Sequence, residues 1–400
     1  MKALLRCTLA AWCAALSVEA GAQKQYGPGV TDTEILIGQT MPYAGPASVL
    51  GHLGRAAQAY FEKINASGGV NGRRIRLLSL DDAYTPPRTL EGTRRLVEQD
   101  NVLLIYQTVG TATNSAIHKY LNGKKVPQLL ITTGASKWND PKAHPWTLSG
   151  MPTYATEGRI YARHLLATRP DAKVAVLMQN DDFGRDYLDG FKAGLGDKAP
   201  KMIVATATYE SMDPTVDSQV VSLKTSGADV FLNLSNAKFT VQSIRKSADL
   251  GWKPLLILPL GSSSIGSILK PAGAQNAVGA ITVAYGKNPA DPQWQDDAGM
   301  KAFLEFMKQY MPKADPHDQL YAGGYSSAQI LVQILRQSGD NLTRENVMKQ
   351  ALSLRNFATE TMLPGLSVNT SPQDYELFDR LVLQRFDGTS WVPFGQPVSR

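Results

Sequence analysis

From residue 34 onward, short apolar runs alternate with longer stretches in which apolar residues recur every three or four positions. The run at residues 34–40 is of the first kind, and residues 51–65, with apolar side chains on one helical face, are of the second. Short apolar runs predict strands, whereas the three-to-four spacing predicts amphipathic helices. Their alternation is typical of βαβ units and therefore predicts an α/β fold with parallel sheets.

The pattern falls into two groups that are separated by Met151-Pro152. In the first group we predict strands at 34–40, 74–80, 102–106 and 128–132 and helices at 51–65, 86–98 and 111–121. In the second group we predict helices at 154–168, 184–195, 215–226, 237–250 and 264–269 and strands at 173–178, 202–209, 229–234 and 255–258. Each group has enough strands for one Rossmann-like, doubly wound lobe.

The C-terminal part has too few predicted strands for a third sheet. Its predicted elements are helices at 294–310, 320–337 and 343–352 and strands at 281–284 and 380–386. These elements must pack on the two lobes, so the chain crosses between the lobes repeatedly. We therefore predict a first lobe of residues 32–150 and 281–375 and a second lobe of residues 151–280 and 376–400. Such crossings form a hinge, with a cleft at the carboxyl ends of the strands.

The first residues have the pattern of an export signal. Two basic residues precede an apolar run at residues 9–16, and the small residues 20–22 follow it. The run is well short of the ~20 residues that span a bilayer as a helix. We therefore expect residues 1–22 to be a signal peptide that directs the protein to the periplasm. Cys7 and Cys13 lie in this segment, so the mature chain would contain no cysteine.

Composition and motifs exclude several classes of function. The chain is basic, with a formal charge of +6, but its densest cluster (Arg73, Arg74, Arg76) has no interleaved aromatic residues, so we expect no nucleic-acid partner. No later stretch is long and apolar enough to span a membrane. The sequence has no GxSxG elbow, no phosphate-binding loop and no GxGxxG after a strand, and its five histidines are scattered. We therefore expect neither an enzyme nor a protein that holds a metal or a cofactor.

Three loops at predicted strand ends are rich in glycine and small hydroxyl residues: residues 42–48, 108–113 and 132–136. Such loops can expose backbone N–H groups at a helix N-terminus, which bind a carboxylate or phosphate without a basic side chain. Ordinary turns and helix caps are the alternative for any single loop. The pair Asp81-Asp82 fits a turn better than acid–base chemistry, because adjacent strand residues point to opposite faces.

Residues 64–75, INASGGVNGRRI, resemble the "INAxGGvnGrkI" signature of the leucine/isoleucine/valine-binding type of periplasmic protein. The glycine–proline loop, Asp81-Asp82 and Asp182-Phe183-Gly184 also match that family. The resemblance extends in order over nearly the whole chain that follows residue 22. It implies two Rossmann-like lobes, joined by three crossovers, that close over a ligand and deliver it to an ABC permease in the inner membrane. A monomer without a cofactor is expected.

The resemblance also implies site residues. In the family, the loops equivalent to Gly110-Thr111 and Ala135-Ser136 bind the ligand carboxylate, and aromatic residues at the positions of Phe183 and Tyr285 close on the ligand. Together with the first-lobe loop and two neutral positions in second-lobe loops, the expected ligand-binding residues are Ser48, Val49, Leu50, Gly110, Thr111, Ala135, Ser136, Phe183, Asn233, Ser262 and Tyr285.

One departure from the family changes the expected ligand. Amino-acid binders of this type hold the ammonium group with an acid in the loop that corresponds to residues 260–265, which here contains no carboxylate. A buried ammonium without a counter-charge is unfavourable. We therefore expect a carboxylate without an α-ammonium group: an aromatic, keto, hydroxy or dicarboxylic acid. The alternatives are an amino-acid or amide ligand, with Glu210 or another acid reaching the site, and a soluble component that presents its ligand to a sensor.

Overall fold

The computed structural model describes residues 24–399. The expected signal peptide at residues 1–22 lies outside the described residues. No helix within residues 24–399 is both long and apolar enough to cross a membrane.

The described strands, in chain order, are β1 Gln25–Tyr26, β2 Glu34–Met41, β3 Arg74–Asp81, β4 Ile105–Tyr106, β5 Gln128–Ile131, β6 Thr147–Ser149, β7 Val174–Gln179, β8 Ile203–Tyr209, β9 Val230–Leu234, β10 Leu255–Ile257, β11 Ile281–Ala284, β12 Asn341–Leu342, β13 Arg380–Phe386 and β14 Trp391–Ser399. The described α-helices are α1 Gly51–Ala66, α2 Pro86–Glu98, α3 Thr111–Gly123, α4 Tyr154–Thr168, α5 Asp182–Leu195, α6 Ala199–Met202, α7 Asp217–Thr225, α8 Ala237–Asp249, α9 Lys270–Ala272, α10 Ala298–Tyr310, α11 Gln319–Ser338 and α12 Arg344–Ala351.

The first lobe is built on a parallel sheet with the strand order β3-β2-β4-β5-β6. Both faces of this sheet are covered. Ile35 and Ile37 of β2 pack toward α1, α10 and α11, whereas Leu36 packs toward α2 and α3. Because strand side chains alternate between faces, one continuous apolar strand supplies both cores.

The second lobe is built on a seven-stranded sheet with the order β14-β13-β11-β10-β9-β7-β8. The five strands from β11 to β8 are parallel, and β13 and β14 add an antiparallel edge. Val174 and Val176 of β7 pack on one face, and Ala175 and Leu177 pack on the other. The two sheets with their covering helices confirm the predicted α/β fold of parallel sheets.

The chain passes between the sheets three times: after β6, after β11 and after α12. The lobe boundary predicted at residue 281 needs correction, because β11 pairs with β10 and β13 and so belongs to the second sheet. The boundary predicted after residue 375 also shifts, since Leu377 and Phe378 pack in the core of the first lobe. Four strands were not predicted from the sequence: the two-residue strands β1 and β12, and β6 and β14. β6 has only three residues, and the prolines and glycine of β14 obscure its alternation.

A candidate ligand-binding cleft between the lobes

A cavity of about 140 Å³ lies between the two lobes. The first lobe lines it from the segments that follow β2, β3, β4 and β5 and from the first turns of α11. The second lobe lines it from the segments that follow β7, β9 and β10. The crossing segments contribute Met151, Tyr285 and Thr361. The carboxyl ends of parallel strands from both sheets therefore converge on one cleft, which is where open α/β sheets bind ligands.

Aromatic side chains form much of the cavity wall. The Tyr154 ring lies 5.1 Å from that of Phe183 and stacks on that of Tyr187 at 4.4 Å, measured between ring centroids. Tyr84 and Tyr285 line the same cavity. Burial raises the pKa values of Tyr154 and Tyr285 to about 12, so both phenols are neutral at physiological pH. This aromatic part of the wall is thus uncharged, and its flat faces suit a planar or branched apolar group.

Two helices point their N-termini at the cavity without a side-chain cap. α3 begins after Gly110, which lines the cavity with φ = 99°, and α8 begins after Asn236, which also lines it. The carboxylates of Asp181, Asp297 and Asp318 cap helices α5, α10 and α11. The first N–H groups of a helix have no partner within the helix, and the helix dipole gives them positive potential. The α3 and α8 termini therefore favour an anionic group of the ligand.

Lys287 is the one charged residue among the described residues that line the cavity. Its ammonium nitrogen Nζ donates to Asp297 Oδ1 at 2.6 Å and to the Glu360 carbonyl at 3.1 Å. Burial acts to raise the pKa of Asp297, but hydrogen bonds from Lys287 and the Met300 amide outweigh it and lower that pKa. An ammonium group has three N–H donors, so Lys287 retains one for a ligand. Sequence reading missed this residue, because a lysine soon after a strand resembles any surface lysine.

The structure brings five of the eleven predicted site residues to the cavity: Leu50, Gly110, Phe183, Ser262 and Tyr285. They come from both lobes and one crossing segment, as expected from the resemblance. The Ser262 hydroxyl donates to the Ser235 carbonyl at 2.6 Å, so it stiffens the cavity wall.

Three further predicted residues lie beside the cavity but do not line it. Ser48 is exposed, and Val49 packs against the core of the second lobe, so this loop contacts the opposite lobe. The hydroxyl of Thr111 pairs with that of Thr133 at 2.7 Å. Thr111 therefore links two first-lobe loops behind Gly110.

The remaining three predicted residues have other partners. Ala135 packs in an apolar core with second-lobe residues. The amide and the hydroxyl of Ser136 donate to Asp186 at 2.9 and 3.0 Å, which joins the lobes. Asn233 is buried and donates to the Ser243 hydroxyl at 2.8 Å. These three side chains therefore join the lobes or the core rather than line the cavity.

A buried acid that the sequence reading missed lies behind the cavity wall. Glu157 Oε2 accepts from the Leu260 amide and shares a hydrogen bond with the Tyr161 hydroxyl, each at 3.1 Å. Oε1 has no partner in hydrogen-bond geometry among residues 24–399, although the nearby Tyr187 hydroxyl favours the ionised form. Burial raises the pKa of Glu157 to about 7. In the sequence, a glutamate in a first helical turn indicates only a favourable interaction with the helix dipole.

A model of the periplasmic binding protein family matches residues 34–388. The Leu/Ile/Val-binding protein homolog 7 of Brucella abortus (strain 2308) is 26% identical over 280 residues, which are 68% of each chain.

Two solved structures have the same fold. A branched-chain amino acid ABC transporter protein from Thermus thermophilus with bound valine has a TM-score of 0.83 at 16% identity and covers 93% of this chain and 98% of its own. An ABC transporter solute-binding protein from R. palustris in complex with benzoate has a TM-score of 0.77 at 19% identity and covers 92% and 98%. The family match extends over most of the chain and the fold agrees throughout. The chain therefore belongs to the periplasmic binding protein family and is a solute-binding protein of its leucine/isoleucine/valine type.

Proposed function

We propose that this protein is the periplasmic receptor of an ABC importer and that it binds a small carboxylate with an apolar, aromatic body and no ammonium group. The observation that carries this proposal is the charge of the cavity lining. The described lining residues include one cation, Lys287, and no acidic side chain.

The charges of the lining residues indicate that the ligand carries an anionic group. A carboxylate in the cavity meets the remaining N–H donor of Lys287, whose charge Asp297 partly balances, and the positive potential of the open N-termini of α3 and α8. An ammonium group would lie near the same positive groups, with no lining carboxylate to compensate it. A buried charge without a partner is strongly unfavourable, so the lining favours an acid over a zwitterion.

The aromatic residues of the cavity wall indicate that the rest of the ligand is apolar. Tyr154, Phe183 and Tyr187 form a compact cluster on the second-lobe side, and Leu50 and Leu53 lie on the first-lobe side. This arrangement encloses a flat ring between the lobes. The benzoate complex of the R. palustris protein shows that a protein of similar fold accommodates such a ligand.

The mechanism we infer is capture by hinge closure. The ligand binds in the open cleft, the lobes rotate about the three crossing segments, and the closed form is presented to the permease. The affinity then includes the free-energy difference between the open and closed forms. The protein acts as a monomer on an unaltered ligand, without a cofactor and without catalysis.

A second candidate, an amino-acid receptor, is favoured by Glu157. This carboxyl bonds to the amide of Leu260, a lining residue, and would ionise beside an ammonium group. The similar fold of the valine-bound Thermus thermophilus protein is compatible with this candidate. Glu157 itself is not among the lining residues, which is why we place it second.

Calorimetric titration with benzoate and with leucine distinguishes the two candidates. We expect benzoate to bind and leucine not to bind. In Lys287→Met, benzoate affinity should fall at least about tenfold, because a charge-assisted hydrogen bond is lost. Lys253→Met, which removes an exposed lysine of the second lobe, is the matched control and should bind as the parent does. Tight leucine binding that is lost in Glu157→Gln would establish the amino-acid receptor instead.

A further inference from the structure

Asp318 is a buried carboxylate that receives hydrogen bonds from both lobes. It lies at the N-terminus of α11 in the first lobe, and its side chain is 4% exposed. From its own lobe, Oδ1 accepts from the Leu320 amide at 3.1 Å and Oδ2 pairs with His52 Nδ1 at 2.9 Å. From the second lobe, Oδ1 accepts from the Ser264 hydroxyl at 2.7 Å, and Oδ2 accepts from the Ser267 hydroxyl.

The second-lobe donors are fixed in a rigid segment. Ser264 precedes a short π-helical turn, Ile265–Leu269, whose apolar side chains belong to the second-lobe core. Ser264 also caps this turn by accepting from the Ser267 amide at 3.2 Å. The two hydroxyls therefore move with the second lobe, whereas Asp318 moves with the first. Ser264 and Leu320 both line the cavity, so this contact lies at its edge.

We propose that Asp318 is a positioning residue for ligand capture: with Ser264 and Ser267 it forms a latch that stabilises the closed cleft. Rotation to an open form removes the two serine donors and lets water solvate the exposed side of the carboxylate. The latch therefore contributes to the closed form and not to the open form. Although burial acts to raise its pKa, the hydrogen bonds keep the pKa of Asp318 low, so the acceptor is charged.

A more exposed polar contact between the lobes is weaker on physical grounds. Lys137 pairs with Asp182 at 2.8 Å, but their side chains are 34% and 51% exposed. Solvent screens an exposed ion pair. In the closed form Asp318 stays buried, so water does not replace donors that a substitution removes, and the carboxylate keeps its desolvation penalty. Closure should therefore depend on the Asp318 latch far more than on this pair.

Cross-linking measures the latch without any ligand. In a chain with Cys7 and Cys13 replaced by serine, Lys137→Cys and Asp182→Cys place two accessible thiols on opposite lobes. The rate at which a short bifunctional thiol reagent joins them reports how often the lobes close. Adding Ser264→Ala and Ser267→Ala should slow this reaction at least about tenfold, which is the loss expected for donors to a charged group.

The matched control is Ser263→Ala. Ser263 is buried in the same loop, but its hydroxyl donates to the Leu260 carbonyl at 2.8 Å within its own lobe. This variant should cross-link at the parent rate. Equal rates for the control and the double-serine variant would overturn the proposal. If the double-serine variant does not fold, Asp318→Asn replaces it, because it removes the charge and replaces one of the two acceptor oxygens by an NH₂ group, which cannot accept a hydrogen bond.

A second measurement rests on the proposed function. Benzoate affinity should fall by the same factor as the closed population, since only the closed form retains the ligand tightly. If the parent does not bind benzoate, the proposed ligand class is wrong. The cross-linking rates, which need no ligand, still test whether the latch stabilises the closed form. If benzoate binds equally well to the parent and to the double-serine variant, the latch plays no part in capture.

Discussion

Glu157→Gln should make the stability of this protein less dependent on pH. The Tyr161 hydroxyl has one proton but faces two acceptors, Glu157 Oε2 at 3.1 Å and the Leu258 carbonyl at 3.0 Å. A protonated Glu157 resolves this conflict: it donates to Tyr161, which then donates to Leu258. The Leu260 amide still donates to Oε2. The geometry therefore agrees with the raised pKa of Glu157, about 7, in favouring the protonated carboxyl below that pH.

The magnitude follows from linkage between protonation and folding. Glu157 titrates at about 7 in the folded chain, against an ordinary value of 4.5. Between these values the folded state binds the proton and the unfolded state releases it, so stability falls as the pH rises. At about 1.4 kcal/mol per pH unit, the loss amounts to about 3 kcal/mol, and it is complete above a pH of about 7. Glutamine cannot ionise, so the variant avoids this loss.

Urea unfolding of the parent and the variant, at about pH 4 and about pH 8, measures the effect. We expect the free energy of unfolding of Glu157→Gln, relative to the parent, to increase by about 3 kcal/mol between these conditions. Glu91→Gln, an exposed position on α2, is the control and should show no comparable change. A difference between Glu157→Gln and the parent that stays constant with pH would refute the reasoning, because Glu157 would then be ionised in the folded protein.

Two further predictions concern the cavity wall. Gly110→Ala should destabilise the fold by about 1–3 kcal/mol and abolish tight benzoate binding, because Gly110 has φ = 99° and an added Cβ would lie 2.5 Å from the Tyr84 ring. Gly123→Ala, at the other end of α3, is its control, since an added Cβ there meets no atom within 4 Å. Calorimetry and thermal unfolding of this pair test the prediction, and equal behaviour would contradict it. Phe183→Ala should weaken benzoate binding about tenfold with little change in melting temperature, because Phe183 is only partly buried and its ring packs on Tyr187 at the cavity. If Phe183→Ala binds benzoate with unchanged affinity, Phe183 does not contribute to ligand binding.

Local patterns in the sequence were sufficient for the two-lobed α/β fold. The helix Pro86–Glu98 and the strand Ile281–Ala284 were predicted with the bounds that the structure has, because proline at a helix start and a short β-branched run are strong local signals. What failed was the assignment of Ile281–Ala284 to a lobe. A strand carries the same pattern in either sheet, and only its pairing with β10 and β13 places it in the second.

Some residues of the candidate site could likewise be predicted from the sequence, whereas others were identified only from the structure. Leu50, Gly110, Phe183, Ser262 and Tyr285 reach the cavity because strand-end loops of a parallel sheet converge, and sequence order alone determines that convergence. By contrast, Lys287, Glu157 and Asp318 acquire their roles from partners distant in sequence: Glu360, Leu260 and Ser264. The sequence thus determined the scaffold and the convergence of strand-end loops on one cleft. Only the tertiary structure decided where the cleft's charge lies, because the burial and pairing of a charged side chain depend on segments that local patterns cannot bring together.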